Sequence, residues 1–203
     1  MKYFKIPKKI NNNLFVSPNI KVIDIDNYHK IIAVDNIKSN TLIIQEYPVI
    51  NLFGEKDIDR ALQTIQKYIL LNENQLYPRT KEFIKTKMIK DVHKIIKNSN
   101  NKLINFFKNY DDDIIEFYYA KYLYNSFEGY NYGPLTLPTI AKLNHSCNNN
   151  VDFIFDEYSG CMNVFTNKYI KKDSELYDNY LLNKNIDNHK EYLLNHYGFI
   201  CHC

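Results

Sequence analysis

The stretch Leu143-Asn144-His145-Ser146-Cys147-Asn148-Asn149-Asn150 decides how this chain is read. Asn, His, Ser and Cys in succession put an amide, an imidazole, a hydroxyl and a thiol on one turn, a density of polar groups that folding alone seldom needs. Taken alone, the tetrapeptide is equally compatible with a capped loop. Its weight comes from two segments further along the chain. Tyr169-Ile170-Lys171-Lys172-Asp173-Ser174-Glu175-Leu176 leads to Tyr180, and Tyr197-Gly198-Phe199-Ile200-Cys201-His202-Cys203 comes after that.

Working outward, the periodicity around these segments is that of strands. Val151 to Phe155, Met162 to Phe165 and Glu175 to Tyr180 read as strands, and residues 20 to 50 hold three β-branched runs separated by polar turn clusters at Asp26 to Lys30 and Asp35 to Asn40. From about Lys56 to Phe127 apolar residues recur at helical spacing, which predicts three amphipathic helices. Their faces are marked by Ile58, Leu62 and Ile65, by Phe83, Ile84 and Met88, and by Ile114, Tyr118 and Tyr122. Asp111 to Asp113 place negative charge at the start of the third, and Gly129 comes after its end. Asp187 to Tyr197 reads as a closing helix with Asp187 as its cap. The order predicts an α+β domain in four segments: N-terminal strands over 1–50, a helical insertion over 51–133, a second set of strands over 134–183, and a closing helix with tail over 184–203.

Composition removes several classes of function. A chain of 203 residues with 45% hydrophobic and 15% aromatic content is expected to fold, as one compact unit. No run approaches the roughly 18 apolar residues of a membrane span, and Met1 to Val16 lacks the apolar core of a signal peptide. The expectation is a soluble intracellular protein of nucleus or cytoplasm, those of a host if the gene is viral, with no membrane partner. A net charge of +3 is too balanced for a protein that coats nucleic acid, so no direct nucleic-acid binding is expected. The 28 Asn and 26 Ile reflect A/T-rich codons, so a lone Asn carries little functional weight. Cysteines at 147, 161, 201 and 203, without a secretory signal, suggest a metal site or buried thiols rather than disulfides.

The three motif segments together resemble the C-terminal half of SET-domain protein lysine methyltransferases. There the pattern runs N-H-S-C-x-P-N, then I-x-x-G-E-E-L with a tyrosine four residues beyond the Leu, then Y-x-F-x-C-x-C. The N-terminal half is similar too, more loosely. Ile31-Ile32-Ala33, Ile37 through Ile44, and Glu46-Tyr47-Pro48 look like the G-x-G-L-x-A, I-x-x-G and E-x-P elements. Asn125-Ser126-Phe127 resembles the N-S-F of the SET-and-MYND subgroup, although no cysteine cluster for the MYND finger exists here. The resemblance spans roughly residues 20 to 203. It implies a SET-type β fold of short strands in small sheets, a helical insertion, and a Cys-containing post-SET tail.

The same resemblance implies transfer of a methyl group from S-adenosylmethionine to a lysine of a histone or other protein. Tyr180 matches the tyrosine at the methyl-transfer centre. Tyr197 and Phe199 match the aromatic pair beside the cofactor and the lysine channel. Asn144, His145 and Asn125 match cofactor-binding positions, with His29 and Lys30 in the first cofactor element. In that element the glycines of the pattern are absent from Asn27-Tyr28-His29-Lys30, where Lys at a position of positive φ is expected to cost about 1 kcal/mol. Later elements carry Asn149, Asp173 and Ser174 in place of Pro, Gly and Glu. Cys147, Cys201 and Cys203 match three of four zinc thiolates, and His202, Cys161, a partner chain, water or a further cysteine could complete the set. Two other readings stay open: a SET-like protein-binding module without catalysis, and an interaction domain in which the cysteines serve folding.

Overall fold

A computed structural model describes residues 14–25, 28–49, 57–73, 76–128, 134–181 and 188–202. Among these, ten strands and six helices succeed one another. β1 (Phe15–Val16), β2 (Ile20–Ile25), β3 (Tyr28–Ala33) and β4 (Leu42–Glu46) precede the insertion. The insertion holds α1 (Asp57–Leu70), α2 (Lys87–Lys90), α3 (Val92–Lys97), α4 (Asn101–Phe107) and α5 (Asp112–Asn125). Then come β5 (Ser126–Glu128), β6 (Pro134–Thr136), a 3₁₀ turn at Ile140–Lys142, β7 (Asn144–His145), β8 (Val151–Asp156), β9 (Cys161–Thr166), β10 (Glu175–Asp178) and α6 (His189–Tyr197). The architecture is α+β with small sheets, as expected.

Two four-stranded sheets, β1-β4-β9-β8 and β2-β3-β10-β7, enclose one apolar core, and β5 pairs with β6. Ile31, Ile43, Ile44, Val151, Val164 and Leu176 are buried between the sheets. At about 1.5–3 kcal/mol per fully buried aliphatic side chain, this core is the main term favouring the fold. The second sheet places the functional segments side by side. β3 runs antiparallel to β10, and β7 runs parallel to β10 with Tyr177 opposite Asn144 and Asp178 opposite His145. Residues near 30, 145 and 178 thus become neighbours.

Two matching turns support this sheet pair. Ile37 and Ile170 exchange both backbone hydrogen bonds at 2.9 Å, and each turn ends on a left-handed residue, Asn40 (φ 59) and Asp173 (φ 66). Those are the glycine positions of the I-x-x-G pattern, so the strain of non-glycine substitution sits here. Lys30, by contrast, lies within the regular strand β3 and has no positive φ, so the backbone penalty expected there does not arise. Tyr28 to Lys30 are strand, not turn.

The insertion also departs from the three-helix expectation. Residues 81–86 carry Phe83 and Ile84 in extended and bend conformations, because Thr86 caps α2 with its hydroxyl accepting from the Ile89 N–H. α4 is a helix the periodicity did not isolate. α5 is not amphipathic, since every residue from Ile115 to Lys121 is buried, as suits a central helix. Asp111 does precede it, and Asp112 and Asp113 occupy its first turn. The hydroxyls of Tyr68 and Thr136 meet at 2.6 Å and tie the insertion to the sheets. The cap of α6 is Asn188, whose side chain accepts from the Glu191 N–H at 3.2 Å; Asp187 and Gly129 lie outside the described residues.

Candidate active site

Tyr180 lies two residues beyond β10, where the chain leaves the sheet. Its hydroxyl donates to the Leu143 carbonyl at 2.7 Å, and its N–H donates to His145 Nδ1 at 3.2 Å. The Tyr197 ring is 4.7 Å away, that of His145 5.3 Å and that of Phe199 6.4 Å, centroid to centroid. Tyr180, Tyr197, Phe199 and His145 therefore gather as one aromatic group drawn from three separate segments. Burial pushes the Tyr180 phenol above its ordinary value, and does the same to Tyr197 and Tyr124. All three stay protonated near neutrality.

α6 and its end fix the tail. Gly198 terminates the helix at φ 78, with its N–H donating to the Leu193 and Leu194 carbonyls at 3.1 Å each. A Cβ there would sit 2.9 Å from Ile84 Cγ2, so the tail packs directly on the insertion. A cleft lined by Met88, Leu123, Tyr192, His196 and Tyr197 opens between α2, α5 and α6, and Tyr197 joins it to the aromatic group.

At β7, Asn144 is held by its own amide. Nδ2 donates to the His29 carbonyl at 2.9 Å and to Glu175 Oε1 at 2.8 Å, which leaves Oδ1 as the atom able to accept from a ligand. Glu175 is positioned in turn by the Tyr177 hydroxyl at 3.2 Å. The Asn150 side chain extends the β10 ladder, donating to the Glu175 carbonyl at 2.9 Å and accepting from the Tyr177 N–H at 2.7 Å. Glu46 does comparable work upstream. Its buried carboxylate accepts from the N–H groups of Thr139 and Ile140 at 2.8 and 2.9 Å, holding the 3₁₀ turn that launches Asn144.

The other positions suggested by the sequence fall around this centre. The His29 ring meets Tyr77 edge-on at 4.9 Å, and burial holds its pKa below the usual histidine range. Lys30 Nζ lies 5.6 Å from the centre of the Tyr28 ring, on the strand face shared with Glu175. Asn125 is 2% exposed, and its Nδ2 donates to the Tyr77 carbonyl at 2.5 Å and to the Lys121 carbonyl at 2.8 Å. Cys203 lies outside the described residues.

Three further features were not expected from sequence. Tyr77 and Tyr124 continue the aromatic row, with centroids 5.7 Å apart and Tyr124 6.3 Å from Tyr197. Arg79 and Lys142 both reach Asp24 Oδ2, at 2.5 and 2.6 Å, and Asp24 is the cross-strand partner of His29. The Arg79 guanidinium chiefly holds the Asp24 carboxyl down at about 2. Asp178 is a carboxylate only 7% exposed, pushed up to about 7 by burial. Strand alternation was the one available cue, because it places Asp178 on the face of Leu176.

These groups suit S-adenosylmethionine by their chemistry. Aromatic faces accept a sulfonium and Asn144 Oδ1 can accept from an ammonium, whereas the Arg79 and Lys142 cations are already paired with Asp24. Part of a zinc ligand set is brought together as well. His145, Cys147 and Cys201 have ligand atoms within 4.8 Å of one another. However, His145 Nδ1 already accepts the Tyr180 N–H, so the neutral ring carries its proton on Nε2, the nitrogen 3.4 Å from Cys147 Sγ. Ligation through Nε2 would sacrifice that bond. The described residues then supply two thiols, short of the four ligands of a closed structural site.

Residues 29–181 match the SET domain family. A SET domain-containing protein of Acanthamoeba polyphaga mimivirus is 35% identical over 188 residues, covering 85% of this chain and 71% of that protein. Among solved structures, the SET domain of LSMT bound to lysine and AdoHcy aligns at TM-score 0.61 and 16% identity, over 93% of this chain and 54% of that one. Rubisco LSMT bound to sinefungin and monomethyllysine aligns at 0.61 and 16% identity, over 94% and 54%. The chain thus spans about half the length of the solved structures it matches, and at this identity the likeness is one of fold. Among the described residues no helix is long and apolar enough to cross a membrane.

Proposed function

The chain belongs to the SET domain family, and from that footing we propose that it is an S-adenosylmethionine-dependent protein-lysine N-methyltransferase. The observation that carries this reading is the convergence on Tyr180 of Tyr197, Phe199 and His145, beside a strand edge where Asn144 is locked to His29. When bound, S-adenosylmethionine supplies an electrophilic methyl group on a sulfonium.

The protein's part is to position and to desolvate. A lysine amine has an ordinary pKa near 10.4 and must be neutral to attack, and a water-poor aromatic surround disfavours its ammonium form. The cleft beside Tyr197 offers an entry from the insertion side. The Tyr180 hydroxyl, with its proton committed to the Leu143 carbonyl, presents its oxygen lone pairs to an amine N–H and so orients the nitrogen lone pair. Asn144 Oδ1 is the acceptor for the amino-acid end of the cofactor, and Phe199 is the face for its adenine. The substrate is a histone or another lysine-bearing protein of nucleus or cytoplasm, in a host cell if the mimivirus likeness reflects a viral source. Asn125-Ser126-Phe127 supports a SET-and-MYND affinity without the finger.

Labelled cofactor incubated with histones and other lysine-rich proteins should label lysine, and Tyr180→Phe should lower the rate by roughly 10²-fold, the usual size for losing one positioned hydroxyl. Equal labelling by the variant would remove Tyr180 from this role. A second reading, a binding module without catalysis, is favoured by Tyr28 and Lys30, whose side chains occupy the glycine positions of the cofactor element. It predicts no heat of cofactor binding in calorimetry.

A further inference from the structure

We propose that Lys121 and Asn125 are positioning residues, which clamp the backbone at Leu76 and Tyr77 so that the Tyr77 ring braces His29. Lys121 is 0% exposed, and its ammonium donates to the Leu76 carbonyl at 2.8 Å and lies 4.7 Å from the centre of the Phe117 ring. Asn125 follows one turn later on the same face of α5. Its Nδ2 donates to the Tyr77 carbonyl at 2.5 Å and to the Lys121 carbonyl at 2.8 Å. Residues 76–80 hold no helix or strand, so side chains give those two carbonyls the hydrogen bonds that a regular element would supply. A buried ammonium is a costly way to fill a core. Among the described residues no carboxylate pairs with Lys121, Glu73 acts on it only from a distance, and burial brings its pKa down to about 8. An aliphatic side chain of similar volume would pack α5 without that penalty, so what the ammonium adds is its N–H donors.

The clamp reaches the site through Tyr77. Its ring meets His29 edge-on at 4.9 Å and Tyr124, from the same turn of α5, at 5.7 Å. The His29 carbonyl in turn accepts from Asn144 Nδ2 at 2.9 Å. The helical insertion thereby sets how firmly β3 holds Asn144. Neither clamp residue needs to touch a ligand, and Asn125 Nδ2 already donates twice within the chain. Only the last step, from a braced His29 to cofactor affinity, rests on the methyltransferase reading proposed above.

The test follows the His29 imidazole of the full chain by NMR titration, with no cofactor present. Burial holds its pKa below 6.5, while Asp24 and Glu175 raise it and Lys142 and Arg79 lower it. Lys121 is not one of the charges acting on it, so a shift on replacing Lys121 reports movement of Tyr77. Lys121→Met and Tyr77→Leu should each let water reach the ring and move that pKa up towards 6.5. Tyr77→Phe keeps the edge-on contact and should leave it in place. Lys121→Gln, a shorter donor at the same position, serves where the methionine variant does not fold, and should shift His29 in the same direction. S-adenosylhomocysteine is then titrated by calorimetry. Lys121→Met and Tyr77→Leu should each weaken binding about fivefold, within the range that loss of one aromatic pair converts to, and the double variant should lose no more than either alone. An unmoved His29 pKa in folded Lys121→Met, or additive losses in the double variant, would overturn the proposal. If the wild-type chain binds no S-adenosylhomocysteine, the methyltransferase reading falls, and the His29 titration alone decides the clamp.

Discussion

Replacing Asp178 with asparagine should stabilise the protein at alkaline pH and leave it nearly unchanged in acid. Asp178 stands on the Leu176 face of β10, in register with His145 and 7% exposed. Burial raises its pKa from 3.8 to about 7, opposed by the Asn179 N–H and reinforced by the Asp152 carboxylate. Below pH 3.8 the carboxyl is protonated in folded and unfolded chains alike, and nothing is lost. As pH climbs from 3.8 towards 7 the unfolded chain releases its proton while the folded one retains it, so folding becomes progressively less favourable. Above about 7 the deficit is complete. At about 1.36 kcal/mol per pH unit it approaches 4 kcal/mol, a large part of the roughly 5–15 kcal/mol that hold a domain together. Asparagine keeps the shape and never ionises. Urea unfolding of both proteins at pH 4, 6 and 8 should show a gap that widens with pH to roughly 3–4 kcal/mol. Burial also lowers the pKa of His29 and His145, but both are common to the two proteins and cancel in the difference. A gap that stays flat across that range would refute the account of Asp178 as a carboxylate held against its ionisation.

Two further substitutions probe the backbone. Gly198→Ala adds a Cβ 2.9 Å from Ile84 Cγ2 at φ 78, and should cost about 1–2 kcal/mol in thermal unfolding while disturbing the near-ultraviolet signal of the aromatic group. Asp173→Gly relieves a left-handed residue on an exposed turn and should raise stability by about 0.5 kcal/mol, a gain that denaturant titration resolves; any loss would mean that the Asp173 side chain contributes more than the strain removes.

Much of the site was legible because its parts are local. Asn144 through Cys147, Glu175 through Tyr180 and Tyr197 through Cys201 each bring several functional groups within a few residues, and their order survives any insertion between them. The strand pairs are legible from the alternation of β-branched residues. What escaped were groups joined only by folding. Arg79 and Asp24 are 55 positions apart, and nothing local marks either of them. Tyr77 and Tyr124 are two of 18 tyrosines, so residue type singles out neither. In the insertion, Phe83 and Ile84 keep helical spacing with Met88, yet the Thr86 cap starts the helix after them, so an apolar period without its capping residue placed the boundary wrongly. α5 hides its face because burial on all sides erases the contrast that periodicity needs.

The glycines of the SET pattern that are missing at Tyr28 and Lys30 show where the constraint on this strand lies. Glycine serves there in one of two ways: it permits a left-handed backbone, or it removes a side chain from the path of a ligand. β3 is an unbroken strand through Tyr28 and Lys30, so the first need is absent. Left-handed geometry falls instead on Asn40 and Asp173, which close the paired turns around the Ile37–Ile170 bridge. What remains is side-chain volume. Tyr28 is 54% exposed, and the Lys30 ammonium lies towards its ring, so both project away from the core face that carries Ile31 and Ala33. Under the proposed function, access to this strand face is set by two side chains that can change rotamer, and not by a strained backbone.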